Sequence, residues 1–427
     1  MMKKIIQKFL KVLAKLIVKK YKPLIIGITG SVGKTSTKEA IFSVLKNRFS
    51  VRKSEKNYNN EIGLPLTIIG AESAGKSLFG WLKILWQAKK LILFPLKNYP
   101  QILILEMAAD RPGDLEYLVS FAPPRISVVT AVAPVHLEFF KSLENIAQEK
   151  SVLVKCLPSS GQAILNADDE RVYQMKDKTD AKVLTYGFSS RADIMAFDWE
   201  NDFGVLESKE LIGVRFKINY KGKIIPVFLP YVLGKQQTYA ALAAIGVGLS
   251  LKMNLIEIVE SLKEYNPPPG RMRLIAGVKR TLIIDDSYNA SPLAVIMALD
   301  VLKKIPSKGR KFVVLGDMLE LGSYSTKAHF EVGEKVASLD PDYLVAVGEN
   351  AKNIIEGARK QGMPLEKIFH FFQSDDAAKF LKNIIQSGDV ILVKGSQRMR
   401  MEKIVKELMA YPEKARELLV RQGKGWR

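Results

Sequence analysis

Residues 25–38 read IIGITGSVGKTSTK, and this stretch decides how the first half of the chain folds. The apolar residues before Gly30 predict a short buried strand, and the residues from Ser36 onward predict a helix. The glycines between them allow successive backbone N–H groups to surround an anion, Lys34 can reach the outer phosphates, and the Thr35 hydroxyl can bind Mg²⁺. We therefore predict a phosphate-binding loop. Its predicted nucleotide-binding residues are Gly30, Ser31, Gly33, Lys34, Thr35 and Ser36.

This loop is a variant of the usual phosphate-loop pattern. The pattern has a glycine at the position of Ile28, whereas here the glycine lies one residue earlier, at Gly27. The alternative is a glycine-rich turn that contains an incidental GKT sequence. We favour the phosphate loop because the predicted strand, loop and helix all lie where the motif requires them.

The composition is that of a globular protein with a strong excess of positive charge. The 427 residues include 65 Lys and Arg against 44 Asp and Glu, which gives a net charge of +21. The length predicts about two or three domains, and the charge favours a nucleotide, a phosphorylated substrate, nucleic acid or an acidic membrane surface as partner. Charge alone does not choose among them. The single cysteine, Cys156, excludes an internal disulfide framework and indicates a reducing cytoplasm.

Two segments combine lysines with large apolar side chains. Residues 1–22 predict a two-faced helix with lysines at helical spacing, and residues 76–94, KSLFGWLKILWQAKKLILF, have a similar composition. Lysines interrupt the apolar run of the first segment, so it fits neither a signal peptide nor a membrane span. Each segment either packs on the protein or lies on an anionic membrane surface, and the sequence leaves both alternatives open.

Polar residues follow several predicted strands. Glu106 ends the apolar run 102–105, and an acid at this end of a strand beside a phosphate loop is placed to bind Mg²⁺. His136 lies in the loop after another predicted strand, where its role is either structural or metal-binding. Asn59 and Asn60 belong to a polar loop whose side chains either lie near a γ-phosphate or cap the helix that follows.

With these motifs in place, the chain resembles the Mur ligase family, most closely its MurF type. The match runs in the family's order from about residue 23 to the end of the chain. The matching motifs are TGSVGKTSTK (29–38), NNEIGLP (59–65), LEMAADRPGDLEYL (105–118), VHLEFF (135–140), IAQEK (146–150), LNADD (165–169), GRM (270–272), DDSYNASP (285–292), LGDMLELG (315–322) and VKGS (393–396). The resemblance implies an ATP-dependent ligase of peptidoglycan precursor synthesis, which forms an amide bond through an acyl phosphate and joins D-alanyl-D-alanine to a muramyl peptide.

Residue roles are implied by the same resemblance, position by position. Lys34 and Thr35 are expected to hold the β- and γ-phosphates and one of two Mg²⁺ ions. Glu106, His136 and a carbamylated Lys150 complete the implied catalytic and metal-binding set. Further implied nucleotide-binding residues are Arg271, Asp286, Tyr288 and Asn289, and implied substrate residues are Asn59, Asn60, Asp317, Lys394 and Ser396. The implied partners are a muramyl-peptide acceptor and a dipeptide amine, and no nucleic acid is expected.

The alternation of strands and helices predicts an α/β fold in two main domains. A basic amphipathic helix, residues 1–22, precedes a central phosphate-loop ATPase domain at residues 23–268. The prolines of residues 266–270 predict the boundary, because proline stiffens a linker. Residues 269–427 are the predicted C-terminal Rossmann-like α/β domain, whose functional loops lie at the C-terminal ends of parallel strands.

The chain departs from the family pattern at several positions. Gln236, Gln237 and Ala240 stand where the family has adenine-side histidine and asparagine residues, and Gln397 stands where arginine is common. Only about twenty residues precede the first predicted strand, fewer than the roughly 50 of an independent domain. We therefore expect the family's usual uridine-binding domain to be missing.

That expectation leaves the acceptor open. Three kinds of acceptor are compatible with the sequence. The first is the nucleotide-linked muramyl peptide of the family, the second is a lipid-linked or other muramyl peptide, and the third is a different acid, as in folate and poly-glutamate ligases. Outside the enzyme class, the alternative is a nucleotide-binding module without ligase activity. The expected location is the cytoplasm, with or without peripheral contact with an anionic membrane.

Overall fold

Two β-sheets with helices on both faces organise the part of the chain that the structure describes. The computed structural model describes residues 2–54, 58–75, 77–96, 98–135, 137–203 and 213–423, with the backbone alone for residues 2–5. The first sheet has nine strands and the second has six within these ranges. The predicted α/β fold class is confirmed.

The first sheet is built around the strand that precedes the phosphate loop. Its strands are β1 (Leu24–Thr29), β2 (Val51–Lys53), β3 (Ile102–Glu106), β4 (Ile126–Val129), β5 (Gln162–Asn166), β6 (Lys182–Gly187), β7 (Ile194–Asp202), β8 (Gly213–Tyr220) and β9 (Lys223–Pro230). Their order is β2-β3-β1-β4-β5-β6-β7-β8-β9, parallel as far as β7 and antiparallel beyond it. Ile28 of β1 lies opposite Glu106 of β3 and Val128 of β4. The carboxyl ends of these parallel strands therefore meet at one edge.

The second sheet repeats this arrangement with fewer strands. Its strands are β10 (Arg273–Ala276), β11 (Leu282–Asp286), β12 (Lys311–Gly316), β13 (Tyr343–Val347), β14 (Ile368–Phe371) and β15 (Val390–Lys394). Their order is β10-β11-β15-β12-β13-β14, with β10 antiparallel to β11 and the others parallel. The apolar runs predict β11, β12, β13 and β15. They do not predict β14, whose residues at the sheet edge are only half-buried.

The described ranges contain α-helices on both faces of the sheets. They are α1 (Met2–Tyr21), α2 (Lys34–Leu45), α3 (Gly63–Ile69), α4 (Leu78–Leu93), α5 (Asp114–Val119), α6 (Leu137–Phe140), α7 (Leu143–Lys155), α8 (Glu170–Tyr173), α9 (Lys235–Ser250), α10 (Leu255–Leu262), α11 (Pro292–Lys304), α12 (Ser325–Ala337), α13 (Ala351–Lys360), α14 (Ser374–Ile384), α15 (Glu402–Leu408) and α16 (Ala415–Leu418). The helix after the phosphate loop begins at Lys34, two residues before its predicted start, so Lys34 lies in its first turn.

Alternation along the central strands fills two cores. Leu103 and Leu105 of β3 point to the face covered by α1, α3, α4, α5 and α7, while Ile102 and Ile104 point to the face covered by α2, α9 and α10. Burial of every residue of β3 explains why the strand reads as a continuous apolar run. The layers on both faces hold the strand ends, and the loops that follow them, in fixed positions.

The N-terminal helix packs on the protein. Leu10, Ala14 and Ile17 of α1 are fully buried in the same core as α3 and α4, so the packing alternative is correct for this face. Two other apolar residues of α1, Phe9 and Leu16, are exposed instead. No helix in the described ranges is long and apolar enough to span a membrane.

Candidate active site

The phosphate loop connects β1 to α2 and presents the N-terminus of that helix. Gly33 occupies the N-cap position with φ +89°, a left-handed conformation that favours glycine, and no described side chain caps the helix. Ser31 fixes the loop: its N–H donates to the carbonyl of Ala131 at 2.7 Å and its hydroxyl donates to that of Ala133 at 3.1 Å. The uncapped N–H groups and the positive end of the α2 dipole therefore suit an anionic phosphate.

Lys34 is half-buried beneath this loop. Its ammonium donates to the carbonyl of Gly30 at 2.6 Å. Desolvation lowers the pKa of Lys34, and Arg271 lowers it further, while Glu106 and Asp110 act in the opposite direction. A phosphate bound in the loop would thus meet the ammonium as well as the backbone N–H groups.

Glu106, at the end of β3, faces the phosphate loop. Its Oε1 accepts hydrogen bonds from the Thr35 hydroxyl at 3.2 Å and the Asn59 amide at 3.1 Å, and Lys38 Nζ lies 3.5 Å from its Oε2. Burial alone would raise the pKa of Glu106, but the charges of Lys38 and Lys34, helped by Asn59, lower it overall. Glu106 is therefore an ionised carboxylate at neutral pH.

The Glu106 carboxylate and the Thr35 hydroxyl fit a Mg²⁺ ion that arrives with a nucleotide. Oε2 of Glu106 is buried and, although the Lys38 ammonium lies 3.5 Å away, accepts no hydrogen bond from a described residue, so this oxygen keeps lone pairs for a ligand. No three His, Cys, Asp or Glu side chains in the described ranges form a closed metal site. A nucleotide-bound Mg²⁺ needs fewer protein ligands, because phosphate and water oxygens complete its shell. His136, the further predicted ligand, lies outside the described residues.

Lys150 of α7 is a buried lysine with only 3% of its surface exposed. Burial, assisted by the charge of Lys34, lowers the pKa of Lys150 to about 7 against the opposing effect of Glu149 and Asp110. Glu149 is fixed in turn, because it accepts the N–H of Leu115 at 2.8 Å. Lys150 therefore has an appreciable neutral fraction near pH 7, unlike a solvated lysine.

The second domain faces the phosphate loop across a cleft. Arg271 follows the linker, and its guanidinium lies 4.0 Å from the ring centroid of Tyr288. The N–H of Met272 donates to Oδ1 of Asp286 at 3.1 Å, which attaches the linker to the end of β11. Residues of the predicted site that line this cleft are Ser31, Gly33, Lys34, Thr35, Asn59, Glu106, Arg271, Tyr288, Asn289 and Ser396.

The two asparagines of the loop before α3 have different environments. Asn59 lines the cleft and donates to Glu106. Asn60 accepts the N–H groups of Ile62 and Gly63 at 3.2 and 2.9 Å, which places it at the start of α3. Of the two alternatives for this loop, proximity to a phosphate fits Asn59 and helix capping fits Asn60.

Two predicted substrate residues lie behind the cleft wall. Lys394 is buried and donates to Oδ2 of Asp286 at 2.6 Å and to the carbonyl of Asn289 at 2.9 Å. Asp317 is buried and accepts the N–H of Ala351 at 2.8 Å at the start of α13. In this arrangement both side chains position the loops around the cleft, and their direct contact with a substrate stays a prediction.

Of the residues at the expected adenine positions, Gln237 and Ala240 are buried and Gln236 is half-buried. Gln237 donates to the carbonyl of Arg271 at 3.1 Å and accepts the Tyr265 hydroxyl at 2.5 Å, so it anchors the linker that carries the cleft arginine. Ala240 lies in the domain core, and Oε1 of Gln236 is buried without a hydrogen-bond partner in the described part of the chain. The substitution at Gln237 therefore has a structural role at the domain boundary.

The sequence motifs do not identify two cationic side chains of the site. Lys38 lies one turn after Lys34 on α2 and pairs with Glu106, and the i, i+4 spacing of the two lysines is a signal that could have identified it. Arg398 lines the cleft directly after Gln397, the position where an arginine was expected. Its position depends on the conformation of the loop after β15, which no local pattern specifies.

These features define a class of protein. A phosphate loop with its lysine, an ionised acid at the neighbouring strand end and an arginine from a second domain together form a nucleotide-dependent phosphoryl-transfer site. The site lies between two α/β domains, so both contribute to it.

Comparison with known proteins identifies the family. Residues 28–79 and 85–248 match the Mur ligase middle domain. Residues 270–397 match the Mur ligase, glutamate ligase domain. The first match includes the phosphate loop, Glu106 and Lys150, and the second includes Arg271.

Individual relatives agree with the domain matches. UDP-N-acetylmuramoyl-tripeptide–D-alanyl-D-alanine ligase of Bacillus subtilis is 30% identical over 388 residues, which cover 91% of this chain and 76% of the relative. The Escherichia coli K12 protein of the same name is 30% identical over 386 residues, covering 90% and 76%. The structure of MurF ligase from Thermotoga maritima in complex with ADP has a TM-score of 0.77 and 28% identity, covering 96% of this chain and 84% of that one.

The chain belongs to the Mur ligase family. It is therefore an ATP-dependent ligase of the kind that forms amide bonds, and the family and enzyme class predicted from the motifs are confirmed.

Gly30 lies close to Thr130, the residue that follows β4. Gly30 has φ +147°, and a Cβ added to it would lie 1.9 Å from Thr130 Oγ1. We expect Gly30→Ala to displace the phosphate loop and weaken ADP binding at least about tenfold, measured by calorimetry. Gly222→Ala is the control, because Gly222 has φ +79° and open space around its Cβ position. Gly222→Ala should lower the free energy of unfolding by about 1–2 kcal/mol without changing the affinity for ADP. Equal ADP affinities of the two variants would contradict the prediction.

Proposed function

We propose that this ligase joins the amine of D-alanyl-D-alanine to a carboxylate of UDP-N-acetylmuramoyl-tripeptide, with ATP as the energy source. The observation that carries the proposal is the cleft in which Lys34, Thr35 and Glu106 face Arg271 and Tyr288 of the second domain. The activity named for the relatives from Bacillus subtilis and Escherichia coli supports these substrates.

The proposed reaction has two steps. An acceptor carboxylate oxygen attacks the γ-phosphorus of ATP, the bond to ADP breaks, and an acyl phosphate forms. The amine then attacks the acyl carbon, loses a proton, and inorganic phosphate leaves with the C–O bond broken. Lys34 and the N-terminus of α2 stabilise the charge on the transferred group, and Arg271 supplies a cation from the second domain. Mg²⁺, held by Thr35 and Glu106, supplies charge neutralisation and alignment of the phosphates when bound.

We further propose that Lys150 acts as a carbamate. Its burial, its lowered pKa and its nearness to the lysine of the phosphate loop support this role. The neutral amine attacks CO₂, a new N–C bond forms as one C–O π bond opens, and one proton is released, which leaves an anionic oxygen ligand. Such an anion suits a second Mg²⁺. Burial of an unmodified ammonium at this position would be unfavourable.

We also propose that the protein makes peripheral contact with an anionic membrane. It is supported by lysines and apolar side chains that remain exposed on α1 and α4.

The test of the proposed function is a substrate panel. We expect ATP-dependent phosphate release only when UDP-N-acetylmuramoyl-tripeptide and D-alanyl-D-alanine are both present, with the amide product identified by mass spectrometry. Lipid-linked muramyl peptides and a folate acceptor with glutamate are the comparison arms. Phosphate release with the folate acceptor and glutamate would contradict the proposal. So would the absence of acceptor-dependent phosphate release with every acceptor tested.

A further inference from the structure

Exposed apolar side chains are concentrated on one part of the surface. Eleven of the nineteen large apolar side chains that are exposed in the described part of the chain belong to α1 or to residues 78–96. Phe79 is 85% exposed, Trp86 65% and Phe94 64%. We call this surface the α4 patch and define it by Phe79, Leu82, Trp86, Leu93, Phe94 and Leu96. Such a concentration on α4 and the residues directly after it indicates an interaction surface.

The helix that carries the patch is apolar on two opposite faces. Ile84, Ala88 and Leu91 are buried in the core with α1. At about 100° per residue, Phe79 and Trp86 lie on the opposite side of α4 from these residues. An ordinary surface helix has one apolar stripe toward the core and a polar stripe toward solvent. The outer stripe of α4 is therefore not explained by packing against the residues that the structure describes.

Hydrogen bonds from α1 fix the end of the helix that carries the patch. Lys20 of α1 donates to the carbonyls of Leu91 and Ile92 at 2.9 and 2.8 Å, and the Tyr21 hydroxyl donates to that of Leu91 at 2.8 Å. The N–H of Leu96 in turn donates to the Tyr21 hydroxyl at 3.1 Å. These contacts fix the C-terminal end of α4, so the outer stripe is presented by a supported helix.

The described charged residues of α4 and of the segment from 77 to 96 are all lysines. Lys83, Lys89 and Lys90 are exposed on α4, and Lys90 Nζ lies 5.5 Å from the Trp86 ring centroid. Residues 1–38 and 73–105 contain no aspartate or glutamate. The apolar stripe is thus accompanied by lysines without a carboxylate in either segment.

We propose that the α4 patch binds reversibly to the surface of an anionic lipid membrane, with Phe79, Leu82 and Trp86 inserted among the headgroups. The lysines would pair with lipid phosphates, and aromatic side chains favour this interface. A second copy of the chain fits less well, because it would bring a second uncompensated set of lysines against the first. These residues would make the peripheral membrane contact proposed for this ligase, and the contact does not depend on the identity of the ligase substrates.

The test is flotation of the full chain with lipid vesicles. We expect co-flotation with vesicles of phosphatidylglycerol and phosphatidylcholine at low ionic strength, and little with phosphatidylcholine alone. Raising the salt to about 0.5 M should weaken binding several-fold, because the Debye length shortens. Absence of flotation with the anionic vesicles at low salt would overturn the proposal.

Two variants of the patch separate its apolar and charged parts. The apolar variant is Phe79→Ser, Leu82→Ser and Trp86→Ser, and its control is Ile256→Ser, Leu365→Ser and Phe372→Ser at exposed positions elsewhere. The charge variant is Lys83→Glu, Lys89→Glu and Lys90→Glu, and its control is Lys379→Glu, Lys406→Glu and Lys414→Glu, which changes the net charge equally at exposed positions. We expect each patch variant to lower vesicle partitioning at least about tenfold, and each control less than about twofold.

The same variants also test whether the protein stays folded and whether the patch binds a second copy of the chain. Circular dichroism and ATP-dependent phosphate release should be the same for the patch variants and the wild type, since none of the changed side chains lines the cleft. Equal losses of vesicle binding in a patch variant and its control would show that the loss is not specific to the patch, and would overturn the proposal. A dimer in sedimentation that the apolar variant dissociates, without vesicle binding, would identify a second copy as the occupant and overturn it as well.

Discussion

Replacing Lys34 by alanine is expected to lower ATP-dependent phosphate release about a thousandfold while the protein stays folded. The loop would lose the ammonium that lies 2.6 Å from the Gly30 carbonyl, next to the uncapped start of α2. Loss of a preorganised group that stabilises developing charge typically costs 10²–10³ in rate. The measurement is phosphate release with acceptor and amine present, together with ADP affinity.

The matched control for this variant lies on the same helix. Lys46 follows the last turn of α2 and forms a surface ion pair with Glu264 at 2.7 Å, far along the helix from the loop. We expect Lys46→Ala to keep the wild-type rate, because surface ion pairs contribute little. Wild-type phosphate release by Lys34→Ala would refute the assignment of the phosphate loop.

Replacing Lys150 by alanine is expected to lower the rate at least about a hundredfold, and formate or acetate should restore part of it. A small carboxylate can fill the position of the carbamate oxygens, whereas an uncharged solute such as formamide should not. Lys155→Ala is the control, because Lys155 lies on the same helix but is exposed. Loss of activity without rescue by any carboxylate would leave only a structural role for Lys150.

The Lys150 hypothesis also predicts a dependence on CO₂ and pH. Burial lowers the pKa of Lys150 to about 7, so the neutral fraction rises from about one tenth at pH 6 to about nine tenths at pH 8. Only the neutral amine takes up CO₂, and the reaction releases a proton. Activity in decarbonated buffer should therefore recover on adding bicarbonate at pH 8 and recover much less at pH 6. Full activity without CO₂, with no carbamate detected by carbon NMR, would contradict the hypothesis.

The motifs predict much of the fold and of the nucleotide side of the site. The apolar run before Gly30 predicts β1, because a central parallel strand is buried on both faces. The position of Glu106 at the end of its strand places it beside the loop, because parallel strands end at the same edge of a sheet. These predictions succeed because each depends on a short stretch of chain and on a general property of parallel sheets.

Other features depend on contacts between distant residues. The pattern of residues 1–22 predicts a helix but not which side is buried, because both Leu10 and Phe9 are apolar and only packing against α3 and α4 distinguishes them. Likewise, a lysine in a helix gives no sign of burial, and the lowered pKa of Lys150 arises from the side chains that surround it.

By itself the sequence determined the α/β class, the phosphate loop, its acidic partner and the family of this protein, because strand periodicity and motif spacing are local properties of the chain. The tertiary structure alone decided that Lys38 pairs with Glu106, that Gln237 anchors the linker beside Arg271, and which apolar residues stay on the surface. The physical reason is that burial, pKa and exposure are set by neighbours far apart in the chain, and these are brought together only when the sheets and helices pack.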